Sequence, residues 1–205
     1  MKNLILIAPP GAGKGTQAKM LCEKFNLVHI SVGDLLRNQN DESLKEKMKK
    51  GILIDDNTIL NLMKKRLKED DITNGFILDG FPRNLNQAKA LDGITSDINA
   101  VIYLEVSKEE LLNRIMGRVI CTKCGHVYNN LIEKLKPINN DICDICNSKL
   151  EKRIDDTVDI FLNRYDTYIK ETQPVLEFYK DKGNLYKITS LDKDQIFNEI
   201  VEILK

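Results

Sequence analysis

The stretch Ala8-Pro9-Pro10-Gly11-Ala12-Gly13-Lys14-Gly15-Thr16 constrains the fold of this chain more than any other. It follows an apolar run, Leu4 to Ala8, that reads as a buried strand ended by Pro9, Pro10 and Gly11. It opens a helical pattern that continues to Phe25. Between a strand and a helix, glycines let the backbone turn tightly, so that successive N–H groups converge on a concave nest for phosphate oxygens. The helix N-terminus adds its partial positive charge. Lys14 brings a full charge toward the outer phosphates, and the Thr16 hydroxyl falls near phosphate or a magnesium ion. An ordinary glycine-rich turn has no need of this strand-loop-helix setting, so the loop is read as a phosphate cradle.

The rest of the chain keeps alternating. A strand reaches Ile30, and the SVGD stretch from Ser31 offers a helix start. Helical stretches follow near Asp41 to Lys50 and Asn57 to Lys68, then a strand at Gly75 to Asp79. A turn at Phe81 to Asn84 leads into a helix through Gln87 and Leu91. Ala100 to Val106 reads as a strand and Lys108 to Met116 as a helix. A long helix is expected from Thr157 to Lys182, then a strand at Asn184 to Ile188 and a last helix to Leu204. This order predicts an α/β fold, a parallel sheet with helices on both faces. Between Val119 and about Glu151 the periodicity fails while Asn, Pro and Cys rise, which marks an insertion. The chain's 205 residues suit one core carrying such an insertion.

Charge narrows the function classes. The 31 basic residues cancel 31 acidic ones, so the basic excess usual in nucleic-acid or membrane-surface proteins is missing. The run Leu4 to Ala8 is too short for a signal peptide or a membrane span, and a cytoplasmic protein is expected. Within that neutral total arginine is scarce: Arg37, Arg66, Arg83, Arg114, Arg118, Arg153 and Arg164. Arginine grips phosphate or carboxylate with a two-pronged, permanently charged fork, so its few positions are informative.

Cysteine usage points to a metal. Cys121 with Cys124 and Cys143 with Cys146 form two C-x-x-C pairs, the pattern of a tetrahedral thiolate zinc site. Two disulfides are the alternative, disfavoured in a reducing cytosol. Cys22 shares helical spacing with Ala18, Leu21 and Phe25 and reads as core, as do Tyr165, Tyr168, Phe178 and Tyr179 in the long helix. His126 follows the first thiol pair but reads as a surface residue, since four thiolates already complete a site.

The loop, with Lys14 followed by Gly15-Thr16, resembles that of the adenylate kinases. SVGDLLR at Ser31 to Arg37, DGFPRNLNQA at Asp79 to Ala88, GRVICTKCG at Gly117 to Gly125, RIDD at Arg153 to Asp156 and Arg164 extend the resemblance across the chain. The insertion is similar to the zinc-bearing lid of many bacterial members. The resemblance implies a P-loop nucleoside monophosphate kinase fold: a core of residues 1–30, 55–116 and 157–205, an AMP-binding segment at 31–54, and a lid at 117–156. The implied reaction is MgATP + AMP ⇌ 2 ADP, carried out by a monomer without nucleic acid or membrane.

Residue roles follow from the same resemblance. Lys14, Arg37, Arg83, Arg118, Arg153 and Arg164 would neutralise the phosphates, and Gly11, Ala12, Gly13, Gly15 and Thr16 would cradle those of ATP. Arg37 and Arg83 would grip the AMP phosphate, shaped by Gly80, Phe81 and Pro82. Val32, Ile52, Leu53 and Ile54 would line the AMP pocket, with Gln87 on the adenine edge. Arg118 and Arg153 would descend with the lid, and Arg164 would reach the phosphates from the long helix. Arg114 would stack on the ATP adenine, covered by Val127 and Tyr128, with a contact near Leu191. Asp79 would orient magnesium through water, and Cys121, Cys124, Cys143 and Cys146 would hold a structural zinc.

Ala8 stands where the family usually has glycine, tolerable if its φ is negative. Val32 replaces a common threonine near the AMP base, and Val119 follows Arg118 where a second arginine is frequent. A UMP/CMP kinase on the same fold is the nearest rival; Gln87 and the long cysteine-bearing lid favour AMP. A zinc-ribbon nucleic-acid binder with an ATPase loop is a rival of another class, and the zero net charge weighs against it.

Overall fold

The computed structural model describes residues 2–39, 41–50, 52, 54–95 and 97–205, residue 49 by its backbone alone. Leu53, expected in the AMP pocket, lies outside the described residues. The main sheet has five parallel strands: β1 (Leu4–Ile7), β2 (Val28–Ser31), β3 (Phe76–Asp79), β4 (Ala100–Leu104) and β8 (Leu185–Ile188). Their order is β2-β3-β1-β4-β8. β1 is therefore flanked by β3 on one side and β4 on the other, the place where chain direction across the sheet switches and where ligands settle beyond the carboxyl ends of strands.

Alternation along β1 builds the two cores. Leu4 and Leu6 point to one face, where Ala18 and Leu21 of α1 (Lys14–Phe25), Leu111 and Ile115 of α6 (Lys108–Gly117) and Ile196 and Ile200 of α9 (Lys193–Ile203) cover them. Ile5 and Ile7 point to the other, under Ile59 and Met63 of α4 (Asp56–Arg66), Ala88 and Leu91 of α5 (Leu85–Asp92), and Val175 and Tyr179 of α8 (Gln173–Asp181). A strand buried on both faces explains why Leu4 to Ile7 is continuously apolar. Short helices α2 (Val32–Arg37) and α3 (Glu42–Lys49) begin at the caps Ser31 and Asp41, whose side chains accept from first-turn N–H groups.

Two elements differ from the sequence expectation. The stretch expected as one helix from Thr157 is α7 (Val158–Thr167), a π-helical turn at Tyr168–Thr172, then α8. Pro174 has no N–H to give to the carbonyl four residues back, and the chain widens there, with Gln173 N–H donating to the Tyr168 carbonyl. The insertion, read as aperiodic, holds a second, antiparallel sheet: β5 (Arg118–Cys121) between β6 (Val127–Asn129) and β7 (Leu150–Glu151). A small core of its own, Val119, Cys121, Tyr128, Cys143 and Leu150, lies beneath it.

Candidate active site

The loops beyond the carboxyl ends of β1, β2 and β3 meet in one place. After β1, Gly13 takes φ +91 as the N-cap of α1, a conformation in which only glycine is unstrained. Ala8 is not among the described residues with positive φ, so its methyl group is tolerated as expected. The Lys14 ammonium folds back over the loop, donating to the Ala8 carbonyl at 2.8 Å and the Pro9 carbonyl at 3.4 Å. Burial lowers its pKa to about 8; Asp79 opposes this, while Arg83, Arg164 and Arg118 add to it.

Asp79 ends β3. Its Oδ2 is 3.4 Å from His29 Nε2. Burial would raise its pKa, but the adjacent His29 and the Lys14 and Arg83 charges outweigh that and hold the carboxylate below its usual range. Next to it, Gly80 has φ +79 and its carbonyl accepts from Arg83 Nε at 2.9 Å; a Cβ at Gly80 would come within 3.0 Å of Arg83 Nη2. The positive φ favours glycine there, and a side chain would press on the Arg83 guanidinium. Burial, Arg164 and Arg37 lower the Arg83 pKa against the pull of Asp79.

Lys14, Gly80 and Arg83 share a cavity of about 560 Å³. Lys14, Arg37, Arg83, Arg153 and Arg164 line it, arriving from the phosphate loop, α2, the loop after β3, the lid and α7, and Lys45 of α3 and Lys152 of the lid line it too. Val32, Ile52, Ile54, Gly80, Pro82 and Gln87 also line it, which brings together the expected AMP-side residues other than Phe81, which is buried, and Leu53, outside the described residues. Arg37 is paired with Asp34 on its own helix. Arg153 and Arg164 grip opposite oxygens of Asp155, at 3.2 and 2.8 Å. Burial would raise the Asp155 pKa, and Arg153, Arg164 and Arg118 bring it below the ordinary carboxylate range. Arg118 makes a two-pronged pair with Asp156, whose side chain is 2% exposed.

A nest at a helix N-terminus, a set of converging cations and a half-apolar cavity describe a polyphosphate site with room for a base. The adenylate kinase family model matches residues 6–184. An adenylate kinase from Thermosipho africanus is 40% identical over 99% of both chains, and one from Clostridium tetani 41% identical over 98% of both. One from Methanosarcina barkeri is 42% identical over 99% of this chain and 98% of its own. The chain belongs to the adenylate kinase family.

On the side of α6 and α9, Arg114 Nε is held by Glu110 at 2.8 Å and its Nη2 donates to the Leu191 carbonyl at 3.0 Å. The two residues expected at the ATP base are therefore in contact. Val127 is exposed at the lid surface, whereas Tyr128 is buried inside the lid. The Tyr128 hydroxyl accepts from Asp144 N–H at 2.8 Å and lies 3.5 Å from Cys143 Sγ. Its ring packs on His126, so the Tyr128 side chain is built into the lid interior.

All five cysteines are free, and Sγ atoms of Cys121, Cys124, Cys143 and Cys146 lie within 4.8 Å of one another. A thiolate tetrahedron with metal–sulfur bonds of about 2.3 Å has sulfurs about 3.8 Å apart, so the four fit one metal ion. The two turns repeat each other: Gly125 N–H donates to Cys121 C=O and Asn147 N–H to Cys143 C=O, both at positive φ. Burial would raise the Cys143 pKa, but the Tyr128 hydroxyl and N–H groups of Cys146 and Ile145 bring it down to about 6. Such donors suit a thiolate ligand.

The sequence motifs assign no role to Asp155 and Asp156 of RIDD and do not single out Asp56 or Thr172. Clustered arginines need counter-charges, which is the signal the first two carried. Among the described residues, no helix is long and apolar enough to cross a membrane.

Proposed function

We propose that this chain catalyses reversible transfer of a phosphoryl group from MgATP to AMP, giving two ADP. The observation that carries the reading is the convergence of Lys14, Arg37, Arg83, Arg153 and Arg164 on one cavity whose other wall is Val32, Ile54 and Gln87. An AMP phosphate oxygen is already ionised, so the reaction needs no general base. What it needs is the in-line approach of two polyanions and neutralisation of the group in flight.

Residues Gly11 to Thr16 cradle the ATP phosphates, with Lys14 on the outer ones. Arg37 and Arg83 hold the AMP phosphate, while Arg118, Arg153 and Arg164 meet the transferring group. Asp155 and Asp156 pre-aim those three guanidinium groups and yield them to stronger phosphate charge. Arg114 stacks on the ATP base beside Leu191 and Val127. Magnesium, held through water by Asp79 and near Thr16, would supply further neutralisation of the phosphate oxygens. The lid metal is zinc in a structural role, because four thiolates leave no open coordination position for substrate. Residues 31–54 and 117–156 close over the nucleotides as separate pieces on the core, excluding water as an acceptor. The kinase acts as a cytoplasmic monomer.

The test is ADP formation from MgATP with AMP, UMP, CMP or no acceptor. A large preference for AMP with negligible acceptor-free turnover is expected. Preference for UMP or CMP overturns the base assignment, and hydrolysis without acceptor overturns the transfer reaction itself.

A further inference from the structure

Gln87 is 3% exposed yet lines the cavity, and its amide is not free to choose which end faces a ligand. Its Oε1 accepts from the Arg83 backbone N–H at 2.8 Å, and its Nε2 donates to Asp56 Oδ1 at 2.8 Å. A backbone N–H can only donate and a carboxylate can only accept, so these partners dictate the orientation of the amide. The same Asp56 oxygen accepts from Asn84 Nδ2 at 2.8 Å, while Asn84 Oδ1 accepts from Gln87 N–H at 2.9 Å. Asp56, at the start of α4, is not itself among the residues lining the cavity.

We propose that Asp56 is a positioning residue that sets purine selectivity by locking the Gln87 amide in one orientation. This rests on the reading of Gln87 as the residue that meets the AMP base. After its two internal bonds the amide keeps one N–H and one Oε1 lone pair, in fixed places. Adenine offers a ring-nitrogen acceptor beside its amino donor; hypoxanthine, of nearly the same size, carries a carbonyl oxygen where adenine has the amino group. Turning the amide over to suit hypoxanthine would set an NH₂ against the Arg83 N–H and an oxygen against the Asp56 carboxylate. The rejected base then leaves buried polar groups unpaired, which is how a site of this kind discriminates strongly.

The experiment compares kcat/KM for AMP and IMP in the intact enzyme and in Asp56→Ala, Asp56→Ser, Asp56→Asn and Gln87→Ala, with melting curves for each. Asp56→Ala should lower the AMP-over-IMP ratio by about tenfold, the loss of one charged hydrogen-bond partner, through KM for AMP with kcat little changed. Asp56→Asn, which still offers an oxygen to Gln87 and Asn84, should restore most of the ratio. Asp56→Ser, too short to reach, reports the same loss if the alanine variant does not fold. A ratio that falls in Gln87→Ala but stays at the parent value in Asp56→Ala or Asp56→Ser overturns the role of Asp56 alone. A ratio unmoved by Gln87→Ala removes Gln87 as base reader, and this proposal with it.

Discussion

Burial lowers Lys14 to about 8, Asp79 resists, and Arg83, Arg164 and Arg118 add their repulsion. A lysine so placed is charged below that value and loses its proton as pH rises through it. Triphosphate brought against Lys14 favours the charged form and raises its pKa. Binding of a non-hydrolysable ATP analogue at about pH 9 should therefore take up protons, and this uptake should vanish at about pH 6. Calorimetry in buffers of different ionisation enthalpy measures it, with Lys14→Met as the variant that loses it; equal uptake at both pH values in the parent would sink the assignment. Lys14 itself was legible in the sequence, because loop, strand and helix are contiguous. Its depressed pKa was not: Asp79, Arg83, Arg118 and Arg164 reach it only through tertiary folding. Asp56 illustrates the same limit, since Asn84 and Gln87 lie about thirty residues away, at separations of 28 and 31. Tyr128 was ambiguous for a related reason, as alternation in a three-residue strand does not say which face meets the thiols.

Among the elements, β1, β3 and β4 were legible as apolar runs bounded by turn residues, while β2, with His29, and β8, with Lys187, were short strands placed by their neighbours. The strands of the insertion have four, three and two residues, too few to display a period. The π-helical turn was hidden by good helical periodicity on both sides, although Pro174 marked the spot. That widened turn has a consequence for the site. It carries Thr172, 8% exposed, whose hydroxyl donates to the Arg83 carbonyl at 2.8 Å. With Gln87 accepting from the Arg83 N–H, both polar groups of the Arg83 backbone are fixed, one by α5 and one by the π turn. Thr172→Val keeps the shape and orphans the carbonyl, at a cost of about 1–2 kcal/mol. The melting temperature should fall by roughly 2–8 °C, and KM for AMP should rise as Arg83 loosens. An unaltered melting curve together with an unaltered KM would show that the turn does not hold the loop.

At the scale of the molecule, the lid differs from the core in what holds it together. The core packs two large apolar clusters on the faces of its sheet. The lid buries only Val119, Cys121, Tyr128, Cys143 and Leu150 in its cluster, and two of these are cysteines. Leu131, Ile138, Ile145 and Ile154 lie exposed on it or at its edge. So little burial cannot offset the entropy of ordering such a segment, and a metal clamp is the physical remedy. Polar contacts tie it to the core: Lys19 Nζ reaches the Gly125 carbonyl at 2.9 Å, Asn129 Nδ2 reaches the Arg114 carbonyl at 2.8 Å, and Arg164 pairs with Asp155 at 2.8 Å. Losing one thiolate should therefore loosen the lid without dismantling the core. Cys143→Ser is expected to reduce bound metal and lower the melting temperature, while the initial rate at low temperature falls by a smaller factor because the lid there remains partly ordered. Chelation of metal from the parent enzyme should reproduce the stability loss. Metal content and melting temperature both unchanged in Cys143→Ser would refute a structural metal. A rate that vanishes at low temperature while the melting temperature holds would mean that the thiol site serves the reaction directly, not the lid.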